Sequence, residues 1–120
     1  MSKKTLVIGA SIKPDRYSNK AINMLLEHDH PVVSIGARED MVGQVKIETG
    51  TPSFKDIHTV TMYLSPKNQI NLYDYIIKLH PKRIIFNPGT ENTEFMFKAK
   101  EAGIDVEEAC TLVLLSTNQY

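Results

Sequence analysis

Apolar residues occur along the chain in short blocks whose spacing alternates between strand-like and helix-like. Thr5-Leu6-Val7-Ile8 is an unbroken β-rich run, the pattern of a strand covered on both faces. After a polar loop, Ala21, Ile22, Leu25 and Leu26 fall on one stripe at i, i+1, i+4 and i+5. That stripe predicts a helix with Ser18 as N-cap and an end near His28 to Pro31, because proline disfavours helical geometry in the residue before it. Val32 to Ile35 predicts a second strand, Thr59 to Leu64 a third, Lys82 to Phe86 a fourth and Ile104 to Val106 a short fifth. Pro66 suits a first helical position, and Ile70, Tyr73 and Ile77 mark the face of the helix it starts. Asn92 or Thr93 caps a further helix with Phe95, Met96 and Ala99 inward, closed by Gly103. The polar stretch from Arg38 to Asp56 predicts a short extended piece and a turn, and Ala109 to Leu115 a final helical turn or two.

Strands alternating with helices imply parallel pairing with right-handed crossovers. The expected fold is a three-layer, Rossmann-like α/β domain with a five-stranded, mainly parallel sheet, spanning residues 1–120 as a single unit. In the order 3-2-1-4-5, strands one and four are neighbours and ligands sit between them, outside the carboxyl ends. The loop from Gly9 and the Asn87-Pro88-Gly89 turn would then flank one crevice.

Composition narrows the function classes. A chain that is 42% hydrophobic and 23% charged has the makeup of a folded domain. Fourteen basic residues balance fourteen acidic ones, so the basic excess of a nucleic-acid binder is missing. The same balance leaves association with a second copy or a partner protein unopposed. The run at Leu6 is too short for a secretion signal or a membrane span, and the single Cys110 cannot form an internal disulfide. These features predict a cytoplasmic protein without membrane contact.

The first strand–helix loop carries the most chemistry. Gly9 and Ala10 allow close backbone approach, and a helix start presents unpaired amides to an anion. Ser11 and Ser18 add hydroxyls. Lys13 and Arg16 add charge, and arginine can grip a phosphate through two parallel bonds. Ser11 and Pro14 stand where a dinucleotide fingerprint needs glycine, and no Gly-Lys-Ser/Thr follows as in a P-loop. The second strand ends Gly36-Ala37-Arg38 without a carboxylate, which favours a phosphorylated ribose over a free one. A solvated connection without a ligand is the alternative for the loop, as is a plain surface arginine for Arg38.

Val7-Ile8-Gly9-Ala10-Ser11 followed by Lys13-Pro14-Asp15-Arg16-Tyr17-Ser18-Asn19-Lys20-Ala21 resembles the opening of the small stand-alone CoA-binding proteins. These are similar to the nucleotide-binding domain of the succinyl-CoA synthetase alpha chain. Asn87-Pro88-Gly89-Thr90-Glu91-Asn92 resembles that family's Gln-Pro-Gly-Ala turn, and Ala102-Gly103-Ile104 and Cys110 fall where the family places such residues. The resemblance implies coenzyme A as cofactor or ligand, with its diphosphate on the first loop. The binding residues it implies, with those read from the loop, are Gly9, Ala10, Ser11, Lys13, Arg16, Tyr17, Ser18, Asn19, Arg38, Pro88 and Gly89. The chain departs from the family at Gly36-Ala37, commonly Asn-Pro, and at Tyr63-Leu64-Ser65-Pro66, often Phe-Arg.

Catalytic and metal-binding groups are sparse in the pattern. His28, His30, His58 and His80 lack zinc-ligand spacing, with His28 and His30 expected to face solvent at a helix end. Tyr63, Tyr73 and Tyr75 read as core aromatics, and Cys110 as a small buried hydrophobe. The leading expectation is a non-catalytic binding or sensor module for CoA or an acyl-CoA. The alternatives are a small enzyme on a CoA thioester or nicotinamide cofactor, using Cys110 or Glu91, and a ligand-free interaction protein.

Overall fold

A computed structural model describes residues 2–120. Among these residues seven strands form one sheet: β1 (Thr5–Ala10), β2 (Val32–Gly36), β3 (Asp40–Val42), β4 (Val45–Glu48), β5 (Thr59–Met62), β6 (Arg83–Phe86) and β7 (Asp105–Glu108). Their order is β3-β4-β2-β1-β5-β6-β7. Every neighbouring pair is parallel except β3 with β4. The helices are α1 (Tyr17–Glu27), α2 (Pro66–Gln69), α3 (Tyr73–Lys78), α4 (Thr93–Glu101) and α5 (Thr111–Ser116).

Alternation along β1 divides the core into two layers. Val7 packs with Ile22 and Leu25 of α1, Ile47 and Leu115 on one face. Leu6 and Ile8 join Met62, Ile76, Phe86 and Phe95 on the other. There Phe95 stacks on Tyr73 at 4.5 Å and meets Phe86 edge-on at 5.8 Å.

The sheet differs from the expected five strands. Residues within 38–56 form the β3–β4 hairpin, turned at Gly43 with φ +60° and anchored by buried Val42, Val45 and Ile47. The strand order is corrected for the same reason. β4 occupies the position beside β2, so the chain must cross to the free edge of β1 for its next strand. The third expected strand, β5, therefore lies next to β1, and the fourth, β6, is one strand further out.

Three local expectations also shift. A 3₁₀ turn at Ile70–Leu72 separates α2 from α3, and its tighter winding rotates the buried face onto Gln69, Tyr73 and Ile76. Ile70 is left 56% exposed. Ser18 is not the cap of α1: a Lys13–Arg16 turn starts the helix early, Arg16 takes the extended cap conformation, and Ser18 is buried in the first turn. His30 is buried, its Nδ1 accepting the Lys3 amide at 2.9 Å, whereas His28 is exposed. Asn92 does cap α4, its Oδ1 accepting from Phe95 N.

Candidate functional site at the carboxyl edge of the sheet

The site begins where β1 breaks register. Between Ile8 and Ala10 the pairing with β2 shifts, and Gly9 sits at φ +96°. A Cβ at Gly9 would lie 3.1 Å from the carbonyl carbon of Tyr63, whose amide donates to Ile8 O. Gly9 thus lets the first loop pack against the end of β5. Gly36 serves a parallel purpose on the other side. A Cβ there would stand 2.5 Å from Ala10 O and 2.7 Å from Ile47 Cγ2.

The loop is braced from within. Ser11 Oγ accepts from Lys13 N at 3.1 Å, and Asn19 Nδ2 donates to Ser11 O at 2.9 Å. Asn23 Nδ2 in turn donates to Asn19 Oδ1 and Asn19 O. Asn19 is a buried brace of the loop, and Ser18 is buried beside it.

Between this loop and the one after β2 lies a cavity of about 510 Å³, within the range of small-molecule sites. Ser11, Lys13 and Arg16 line one wall and Arg38, Glu39 and Asp40 the other. Ala10, Ile12, Ala37 and Ile47 supply its apolar surface. Three cations and two carboxylates therefore share the space. Asp40 Oδ1 is engaged by the Met41 amide at 2.8 Å. The end of the second strand, Gly36-Ala37-Arg38, carries no carboxylate, but Glu39 and Asp40 just beyond it are exposed side chains that also line the cavity. Ile12 and Ile47 were also not foreseen: Ile47 lies on a strand whose pairing with β2 has no local signal.

Of the residues expected at the site, Ala10, Ser11, Lys13, Arg16 and Arg38 line the cavity. Gly9 adjoins it. Tyr17 is 67% exposed, with Lys20 Nζ 5.5 Å from its ring centroid. Pro88 and Gly89 do not flank this cavity, because β5 separates β6 from β1. They form an exposed turn in which Gly89 N donates to Glu91 Oε1 at 2.9 Å. Burial pushes the phenol of Tyr63, at the junction, up to about 12. Its hydroxyl has no hydrogen-bond partner among the described residues. Cys110 is half-buried ahead of α5. No helix among the described residues is long and apolar enough to cross a membrane.

An open, mostly parallel α/β sheet with a charged pocket at its carboxyl edge defines the class. The chain belongs to the CoA binding domain family, whose model matches residues 3–116. It is similar over its whole length to an uncharacterized protein of known crystal structure, at 40% identity, 99% of that chain and a TM-score of 0.97. A hypothetical protein from Pyrococcus horikoshii OT3 aligns with 97% of this chain and 83% of its own at 28% identity, TM-score 0.87. A Thermus thermophilus structure shares the fold at 22% identity, covering 99% of this chain and 91% of that one, TM-score 0.80. No curated protein matches.

Proposed function

We infer that the protein binds coenzyme A or an acyl-CoA, holding the diphosphate on the Ser11–Arg16 loop, and acts as a binding or sensor module. The observation that carries this reading is the cavity in which Lys13, Arg16 and Arg38 converge, in a chain whose family is defined by CoA binding. Arg16 and Lys13 neutralise the diphosphate. Ile12 and Ile47 give the adenine an apolar slot, and Arg38 faces a phosphorylated ribose. The Pro88-Gly89 turn lies along the path of the rest of the ligand, as Tyr17 lies at the outer rim.

Glu39 and Asp40 favour a second reading, an adenine dinucleotide with free ribose hydroxyls, since carboxylates accept hydrogen bonds from such hydroxyls. Thermal unfolding with CoA, dephospho-CoA, NAD and NADP at equal concentration separates the two. A ligand at ~100 times its Kd stabilises the native state by about 2.7 kcal/mol, which raises the midpoint by several degrees. A shift with CoA that shrinks with dephospho-CoA supports the leading reading, and a larger shift with NAD supports the second. No shift with any of the four removes both.

A further inference from the structure

The carboxyl edge of the sheet is held differently in its two halves. Among the described residues no hydrogen bond crosses between Ser11–Arg16 and Ala37–Asp40, and both stretches are largely exposed. On the far side of β1, two buried amide side chains fasten the loops together. Gln69 Nε2 donates to Leu64 O at 2.9 Å and to Thr90 O at 2.8 Å, so one nitrogen ties the loop after β5 to the loop after β6. Gln69 Oε1 accepts from Asn92 Nδ2 at 3.0 Å. Asn87 completes the arrangement: Nδ2 donates to Met62 O at 2.9 Å, and Oδ1 accepts from Thr111 N at 2.9 Å.

Gln69 is fully buried on a helical face that otherwise packs apolar side chains. Two carbonyls can only accept, so its amide has one workable orientation. A buried network with every member paired fixes one arrangement of the groups it joins. What Gln69 fixes is the spacing of the Leu64 and Thr90 loops.

We propose that Gln69 is a positioning residue for the thiol-bearing arm of the ligand. This rests on the CoA reading above. With the diphosphate on the first loop and the adenosine toward β2 and β4, the side of β1 left for the arm is that of β5 and β6. The arm then runs along the wall whose spacing Gln69 sets. Gln69 itself touches no ligand.

The test compares CoA with ADP, which lacks the arm, by calorimetry on the intact protein and on Gln69→Met. Methionine keeps the length of the side chain and removes both donated bonds together with the bond accepted from Asn92. The expected result is an affinity for CoA lowered by about tenfold while that for ADP stays within about twofold. Tyr73→Phe is the control: it removes the hydroxyl that Asn92 engages and leaves all three Gln69 bonds in place. It should lower the unfolding midpoint without altering the CoA-to-ADP ratio. Should Gln69→Met fail to fold, Gln69→Glu, which forfeits at least one donor in nearly the same shape, gives the same ratio. Equal losses for the two ligands, or none for either, overturn the inference while leaving the CoA reading intact. Wild-type protein that binds neither ligand overturns both.

Discussion

Gly9 approaches the backbone of Tyr63 closely: a Cβ on Gly9 would stand 3.1 Å from the Tyr63 carbonyl carbon, and φ at Gly9 is +96°. Gly9→Ala therefore combines a strained backbone with a contact that flexible side-chain atoms cannot relieve. The expected loss is about 1–3 kcal/mol, read as a lowered thermal midpoint. The loop should also be displaced, weakening any ligand it grips. An unchanged midpoint would show that the loop does not depend on this approach.

Much of this architecture was legible in the chain. Leu6-Val7-Ile8, Ile84-Ile85-Phe86 and the α1 stripe each announce their element, because buried strands and one-sided helices leave strong periodicities. Strand order was not legible. It depends on β4 taking the place beside β2, and Val45 and Ile47 are too few to announce a strand. Gln69 was hidden for a related reason: the 3₁₀ turn after it changes the pitch, so a stripe drawn through Ile70 and Ile77 falls one position off. In the site, the charged loop was readable from residue type, since Lys13, Arg16 and Arg38 have no apolar role. The depth added by Ile47 and Glu39 arises only from folding.

Gly36→Ala isolates sterics from backbone strain, because Gly36 lacks the positive φ of Gly9. The new methyl would meet Ala10 O at 2.5 Å and Ile47 Cγ2 at 2.7 Å, so β2 must part from the bulge or from β4. Overpacking of this kind costs about 1–3 kcal/mol. Because Ala10 and Ile47 both line the cavity, ligand affinity should fall along with stability. A loss of stability with affinity preserved would place the ligand elsewhere.

Stability should fall on mild acidification. His30 and His58 have pKa values lowered, first by burial and then by nearby cations, Lys3 and Arg83 among them. The geometry agrees: His30 Nδ1 accepts from the Lys3 amide. His58 Nδ1 lies 2.7 Å from the Thr59 hydroxyl, which also accepts from Arg83 Nε, so a charged ring there would sit beside the guanidinium. Protonation of His30 breaks its bond with the Lys3 amide. A folded value below the unfolded one of about 6.5 means that the contribution is complete above that pH and is lost as pH falls through the folded values. Midpoints measured from pH 8 to pH 5 should decline, and His30→Asn with His58→Asn should flatten the slope. An equal slope in the double variant would assign the decline to other groups.

Arg38 and Glu39 are adjacent, opposite in charge and on the same wall of the cavity, which makes them a readable test of what that wall recognises. If a phosphorylated ribose lies there, Arg38→Ala removes its counter-charge and should weaken CoA by about tenfold while leaving dephospho-CoA nearly unchanged. Glu39→Gln removes a like charge and should strengthen CoA, by less, because both residues are exposed and water screens them. Both effects should shrink as salt rises from low to physiological strength, where the screening length falls to about 8 Å. Calorimetric titrations of the two variants with both ligands at two salt concentrations measure all of this. If Glu39→Gln instead weakens dephospho-CoA and Arg38→Ala affects neither ligand, the carboxylate is the ribose partner. The wall would then be built for a free hydroxyl, and the dinucleotide reading would take precedence.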